Sequence, residues 1–302
     1  MQITTSSTAR GIALVLLAAA LWGTTGTAQT FAPVTLSSYW VGTARLLIAG
    51  GFFILWIGCA DPYALSAKRF KALPLSLISV AAVCMATYNL AFFAGIRTSG
   101  VAIGTAIALG SGPVWAGILQ AIWARQLPGK SWYLAVIIAV TGLTLASLNA
   151  SASARPLALS GLGLCLISGL AYALYALITK RIVAVSSAAT TTAFVFTGAA
   201  IVATPSAWLL AGTPSIVLSD LAPLLWLGIV ATGLAYLLFS SGLQYISSAT
   251  GVALALAEPI AAVFLAIVVV GERPTPAALW GILLVFVGLC LIVRSELHVS
   301  TD

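Results

Sequence analysis

The sequence is short of charge, of histidine and of paired cysteine, and each shortage removes a class of function. Of 302 residues, 13 are Lys or Arg and 6 are Asp or Glu, against 61% hydrophobic, with a mean hydropathy of +1.14. A soluble domain carries about 25% charged residues, so the 6% here cannot cover a water-facing globule of this length. The one histidine, His298, stands close to the C-terminus, and Cys59, Cys84, Cys165 and Cys290 are scattered without a C-x-x-C pair. No zinc or haem ligand set assembles at such spacing, and the cysteines read as small buried apolar residues. The net charge of +7 does not point to nucleic acid, because the basic residues come singly, in twos or in threes between apolar runs. No Walker sequence G-x-x-x-x-G-K-[ST] occurs, which leaves no ATP site in the chain. The first apolar run passes through Trp22, Gly23 and Thr24 without an A-x-A site, so a cleaved leader is not expected.

What is present in quantity is long apolar sequence. A membrane helix needs about 20 apolar residues, and glycine, proline and polar clusters cut the runs into ten such segments, near 11–30, 36–59, 72–95, 100–122, 131–149, 157–179, 188–210, 221–241, 247–270 and 276–294. LVLLAAALW and FLAIVVV are apolar all round, which argues against the alternating strands of an outer-membrane barrel. The positive-inside rule places both termini in the cytoplasm. Arg10, Lys68, Arg69, Lys71, Arg125, Lys130, Lys180, Arg181 and Arg294 then fall inside, against Arg97, Arg155 and Arg273 outside. Trp40, Trp56, Trp123, Trp132, Trp208, Trp226 and Trp280 fall near helix ends, where an amphipathic ring meets the headgroups, whereas Trp22 and Trp115 lie well inside.

The chain reads as two copies of a five-helix unit, residues 1–150 and 151–302. A shift of 150 lays Gly11 on Gly161 and Trp22 on Tyr172; shifts of 146 and 147 lay Gly95 on Gly242, Pro113 on Pro259, Pro128 on Pro274 and Gly142 on Gly288. An odd number of spans per unit forces the second unit to insert upside down relative to the first. The expected fold is therefore all-α and integral to the membrane, ten helices in two inverted five-helix repeats around a central cavity. Inverted repeats with matching Gly- or Pro-interrupted helices mark alternating-access carriers.

These residues carry a family resemblance. GIALVLLAAALWG, WVGTARLLIAG, AIALGSGPVWAGIL and ALALAEPIAAVFLAIVVVGERPT closely resemble the two EamA repeats of the drug/metabolite transporter superfamily, over about 10–150 and 157–294. The strongest element is Glu258-Pro259 followed by an apolar run into Gly271-Glu272; in the first repeat Gly112 stands before Pro113, and Arg125-Gln126 stand in place of Gly271-Glu272. The resemblance implies export or exchange of small metabolites through a central cavity in a bacterial inner membrane, without cofactor. Within the superfamily the chain is most similar to bacterial exporters of amino acids, aromatic and neutral ones included.

Candidate transport residues follow from cost. Pro113 and Pro259 withhold a donor from the carbonyls of Leu109 and Ala255, which marks two helix breaks. Glu258 is the sole acid placed within a span and Arg45 the sole base; an ionisable group there is expensive and so a functional candidate. Glu258 is suited to a substrate ammonium, a proton relay or a pairing with Arg45, which is read as a structural charge. Trp22, Thr25, Gly26 and Gln29 share one face of the first helix, and Tyr172 and Tyr175 one face of the sixth. Tyr88 with Phe92, and Tyr236 with Phe239, occupy corresponding depths of helices 3 and 8. With Trp115 and the uncharged Asn89 and Ser111, these rings predict an apolar-walled, hydrogen-bonding substrate site suited to a zwitterion. Gly161, Gly163 and Gly169 are expected helix contacts.

Three alternatives compete. An exchanger of nucleotide sugars or sugar phosphates would want several Lys or Arg in the cavity, and Arg45 is the sole candidate. An intramembrane enzyme wants paired carboxylates, a Ser/His pair or a metal cluster, none of which the spans supply. A permease subunit driven by an ATPase wants a large cytoplasmic docking surface, and the loops are short. The expected partners are thus a small-molecule substrate and membrane lipid, with no nucleic acid and no ATPase subunit.

Overall fold

Ten stretches of the chain stay apolar for long enough to cross a bilayer, and each forms a helix: α1 (Thr5–Ala28), α2 (Ser38–Cys59), α3 (Leu75–Ser99), α4 (Ile103–Trp123), α5 (Lys130–Ser147), α6 (Leu159–Val183), α7 (Ala188–Ala211), α8 (Leu218–Gly242), α9 (Ser248–Val270) and α10 (Pro276–Leu297). The structure, a computed structural model, describes residues 5–31, 36–60, 73–123, 125, 127–148 and 158–299, and the side chains of 29–31, 60, 101–102, 148 and 298–299 lie outside that description. Gln29, Lys68, Arg69, Lys71, Arg155 and His298 therefore fall outside what is described of side chains. Every regular element among the described residues is helical.

Boundaries follow local chemistry. Pro74 precedes α3, and Gly100, at φ 84, ends it beyond Ser99; the helix thus runs later than its apolar run predicts. Ser187 and Ser247 cap α7 and α9, their side chains accepting from the backbone N–H of Thr190 and Thr250. α8 and α9 are not uniform. α8 loosens into a π-helix over Trp226–Leu234. α9 tightens into a 3-10 turn over Ala255–Ala257 and ends in a π-helix over Ala266–Val270.

Helix ends meet in a consistent order. The start of α1 lies against the end of α8, with a Cβ on Gly11 placed 2.7 Å from Tyr245 Cβ and 3.0 Å from the Gly242 carbonyl. Ser131 at the start of α5 bonds Ser295 at the end of α10. The start of α9 meets the end of α4, where Ala249 N–H donates to Gln120. At the opposite face, Trp40 at the start of α2 bonds the Gly212 carbonyl beyond α7, and the start of α6 meets the end of α3 at Gly161 and Ser99. Successive helices therefore alternate in direction, and the start of α1 and the end of α10 lie on one face, called here the terminal face.

With lipid on the outside, close backbone approach replaces the hydrophobic effect as the force between helices. α5 and α10 touch through Gly142, Gly281 and Gly288: a Cβ on Gly142 would stand 2.5 Å from the Gly281 carbonyl, and one on Gly281 would stand 2.5 Å from Ala146 N. The sequence match of Gly11 with Gly161 and of Gly242 with Gly95 reappears as contact, since Gly11 and Val15 pack on Gly242 while Gly161 and Cys165 pack on Gly95. Gly169 meets Ser111 and the Ala108 carbonyl, whereas a Cβ on Gly163 would meet nothing within 4 Å. Trp132, at the start of α5, is buried against Gly117, a site with no side chain to exclude the ring. Among the cysteines Cys84 and Cys165 are buried, whereas Cys59 and Cys290 are exposed on outward helix faces.

Candidate substrate cavity

A cavity of about 460 Å³ opens among α1, α2, α3, α4, α6, α8 and α9. Its walls include Trp22, Thr25 and Gly26 of α1, Arg45 of α2, Tyr88, Asn89, Phe92, Phe93 and Ile96 of α3, Thr105 and Leu109 of α4, Tyr172 of α6, Thr232 and Tyr236 of α8, and Ala255, Glu258 and Ala262 of α9. The α1, α2, α3 and α4 residues sit in the halves of those helices remote from the terminal face. Towards the terminal face the cavity ends on a floor of rings. Trp22 stands 4.9 Å from Tyr236 and 6.4 Å from Tyr172, Tyr88 stands 5.2 Å from Tyr172, and Phe196 stands 4.8 Å from Tyr236. Beneath them Tyr175 and Phe239 stack at 6.5 Å, both fully buried.

The two intramembrane charges share this cavity without pairing. Arg45 Nε donates to Thr232 Oγ1 at 2.9 Å, and an Nη donates to the Ala231 carbonyl at 3.5 Å. The π-helix of α8 makes this possible. Its wider turn lets Thr232 donate back five residues to the Leu227 carbonyl while receiving Arg45. No hydrogen bond or ion pair joins Arg45 to Glu258 among the described residues, so of the three roles open to Glu258 the pairing with Arg45 is not seen, and Arg45 is anchored on α8. Glu258 is half-buried at the restart of α9. Pro259 has no N–H for the Ala255 carbonyl, which takes the Glu258 N–H instead and so closes the 3-10 turn. α1 reaches this turn through Gly23, where a Cβ would stand 2.9 Å from the Glu258 carbonyl.

Two polar atoms of the floor have no partner among the described residues: Trp22 Nε1 and the Tyr172 hydroxyl. Both side chains are more than nine-tenths buried, at 7% and 6% exposure, and both line the cavity. A buried donor without an acceptor costs about 1–3 kcal/mol, and a bound acceptor would remove that cost. Asn89 differs, as its Nδ2 is occupied by the Met85 carbonyl at 3.0 Å.

Of the residues expected from sequence, Trp22, Tyr88, Asn89, Tyr172, Tyr236 and Glu258 meet in one cavity, joined by Arg45. Three do not line it. Tyr175 is walled off below the floor, and Trp115 packs against the core instead. Ser111 donates to the Ala108 carbonyl and lines a separate cleft with Val140 and Thr144. Nor does Pro113 break its helix, since the α-helix runs unbroken from Val101 to Trp123. Thr105, Phe93 and Thr232 enter the wall unannounced. Thr232 was the most legible of them, one turn before Tyr236 and hence on its face.

Comparison with known proteins agrees with this architecture. The sequence profile of the EamA-like transporter family matches residues 9–148 and again 159–294. A Bacillus subtilis (strain 168) protein, named "Uncharacterized transporter YwfM", is 37% identical over 280 residues, 92% of this chain and 92% of its own. A solved structure described as "Crystal structure of protein" shares the fold, with a TM-score of 0.77 at 16% identity over 95% of this chain and 96% of that one. Matched by the profile along both halves, the chain is a multi-pass membrane protein and belongs to the EamA-like transporter family.

Proposed function

We propose that the protein is a secondary carrier that exports small zwitterionic metabolites, amino acids foremost, with aromatic and neutral ones among them, across the bacterial inner membrane by alternating access of two inverted five-helix repeats. The observation that carries this reading is the composition of the cavity: one cation and one carboxylate, unpaired with each other, among rings and two unpartnered donors. Its volume, about 460 Å³, lies within the roughly 300–1,000 Å³ of small-molecule sites.

A zwitterion brings one charge for each pole. Its carboxylate accepts from the free Arg45 donors and from Trp22 Nε1 or the Tyr172 hydroxyl, while its ammonium donates to Glu258. Arg45 is held in place beforehand by Thr232, so little side-chain freedom is lost on binding. The ligand's own side chain then lies against Phe92, Phe93 and Tyr88, whose flat faces accept aliphatic and aromatic groups alike. A phosphate-bearing substrate suits these walls poorly, because Arg45 is the sole cation in them among the described residues and Glu258 disfavours a dianion.

The test is reconstitution in liposomes with a panel of labelled amino acids and with a sugar phosphate. Amino acids are expected to move above the empty-vesicle rate, and the sugar phosphate is not. Movement of the sugar phosphate alone, or of neither, overturns the reading.

A further inference from the structure

The connection between α8 and α9 is held from three helices at once. Lys180, at the end of α6, donates through Nζ to the Leu243 carbonyl at 2.9 Å and to the Ile246 carbonyl. Glu296, at the end of α10, accepts the Ser247 N–H at 2.8 Å and the Thr250 hydroxyl at 2.5 Å. Gln120, at the end of α4 and buried, accepts the Ala249 N–H at 3.0 Å. Both charged members use charge-assisted bonds, the stronger kind. All three grips act at the terminal face, directly beneath the ring floor, and together they satisfy backbone groups that the turn between two helices leaves open.

The matching sequence positions of the repeat offer no such grip to the opposite face. Under the repeat offsets of 150 and 146, Lys180 corresponds to Thr30, Gln120 to Ala266 and Glu296 to Ala150. None of these supplies a cation, an amide or a carboxylate. An inverted repeat closes its two faces with equivalent segments, so a device present at one face without its counterpart at the other favours closure of that face.

We propose that Lys180, Gln120 and Glu296 form a latch on the α8–α9 connection that holds the terminal face shut and biases the empty protein towards the state open on the other face. The latch rests on the reading of the chain as an alternating-access carrier, and it must release for the terminal face to open.

Reporter thiols in nanodisc-embedded protein test it, in a background with the four native cysteines replaced by alanine. Ser240→Cys, fully buried one turn below Tyr236, reports opening of the terminal face; Thr105→Cys, in the cavity wall, reports opening of the other. With the latch intact, a water-soluble maleimide is expected to label the Thr105→Cys site quickly and the Ser240→Cys site slowly. Lys180→Met, or Glu296→Gln, is expected to raise labelling at Ser240→Cys about tenfold and to lower it at Thr105→Cys, and Lys180→Arg to restore both. Unchanged rates in both variants overturn the latch. So does a rise at both reporters, which reports loosened packing. Failure of the carrier reading has a different signature: with the latch intact, a saturating amino acid that leaves labelling of Thr105→Cys unchanged counts against the cavity and leaves the reciprocal shift free to be observed.

Discussion

Pro113 in α4 and Pro259 in α9 occupy matching places in the two halves of the sequence, yet their helices absorb the missing N–H differently. α4 remains an α-helix throughout, whereas α9 tightens over Ala255–Ala257 and restarts at Glu258. The residue before each proline explains the contrast. Gly112 lies between neighbours, where even a Cβ would stand 3.3 Å from Val252 and 3.8 Å from Tyr172, so packing holds α4 to its course. Glu258 carries a carboxyl that apolar packing cannot accommodate, and the tightened turn delivers it to the cavity. A glycine from the helix that opens the other half packs against each stretch, Gly23 of α1 on α9 and Gly169 of α6 on α4. Duplication thus sets the frame, and single departures within it decide which of the two prolines brings a carboxyl to the cavity.

The sharpest way to break this contrast is to remove the charge. Glu258→Gln is expected to lower amino-acid transport in liposomes by at least about tenfold, the worth of a hydrogen bond to a charged group, with the melting temperature retained. Ser111→Ala, beside the matching proline of α4, should change transport less than about twofold, the limit set by a hydroxyl that bonds its own helix. Equal losses in the two variants would erase the distinction between the halves.

Removing the prolines comes next in size. Pro259→Ala returns a donor to the Ala255 carbonyl, regularises α9 and re-aims Glu258, so transport should fall about threefold to tenfold. Pro113→Ala should leave transport within about twofold, since α4 is already regular. The glycines act on stability first. Gly23→Ala puts a Cβ 2.6 Å from Ala261 Cβ and 2.9 Å from Ala262 N, an overpacking expected to cost about 1–3 kcal/mol and to lower the melting temperature. Gly169→Ala should cost a similar amount, its Cβ falling 2.8 Å from the Ala108 carbonyl. Gly163→Ala, with open space around it, should cost nothing measurable.

The ten spans were legible because lipid allows little besides apolar helices, and the cavity was half legible because a polar ring deep in a span is costly. Periodicity and offset located Trp22, Tyr88, Tyr172 and Tyr236, which meet as expected. They could not distinguish Tyr172 from Tyr175, one turn further along the same face, because the difference lies in where Phe239 and Phe196 close the floor. Arg45 was found as a structural charge, but its place on α8 was not. Its anchor depends on a π-helix, and a one-residue loosening of the turn leaves no mark in an apolar sequence. The latch was hidden for a related reason: Lys180 and Glu296 sit where topology alone calls for charges, so their positions carried no surplus signal until the α8–α9 connection was seen beneath them.

Trp22 and Tyr172 provide the finest test, because here the two halves agree. They are equivalent under the offset of 150, they touch edge to face at 6.4 Å, and both line the same cavity while each holds a buried donor with no partner among the described residues. Tyr172→Phe removes the hydroxyl and leaves the ring contacts with Trp22 and Tyr88 in place. If the hydroxyl serves a bound acceptor, its loss should raise the KM for transport about threefold to tenfold, the worth of an ordinary hydrogen bond. Stability of the empty protein should move the other way, unchanged or improved, because a buried donor without a partner has been taken out. A purely structural hydroxyl predicts the reverse pattern, with lower melting temperature and unaltered KM. Opposite signs in the two measurements would mean that the floor of the cavity is left unsatisfied in the empty protein and completed by the substrate.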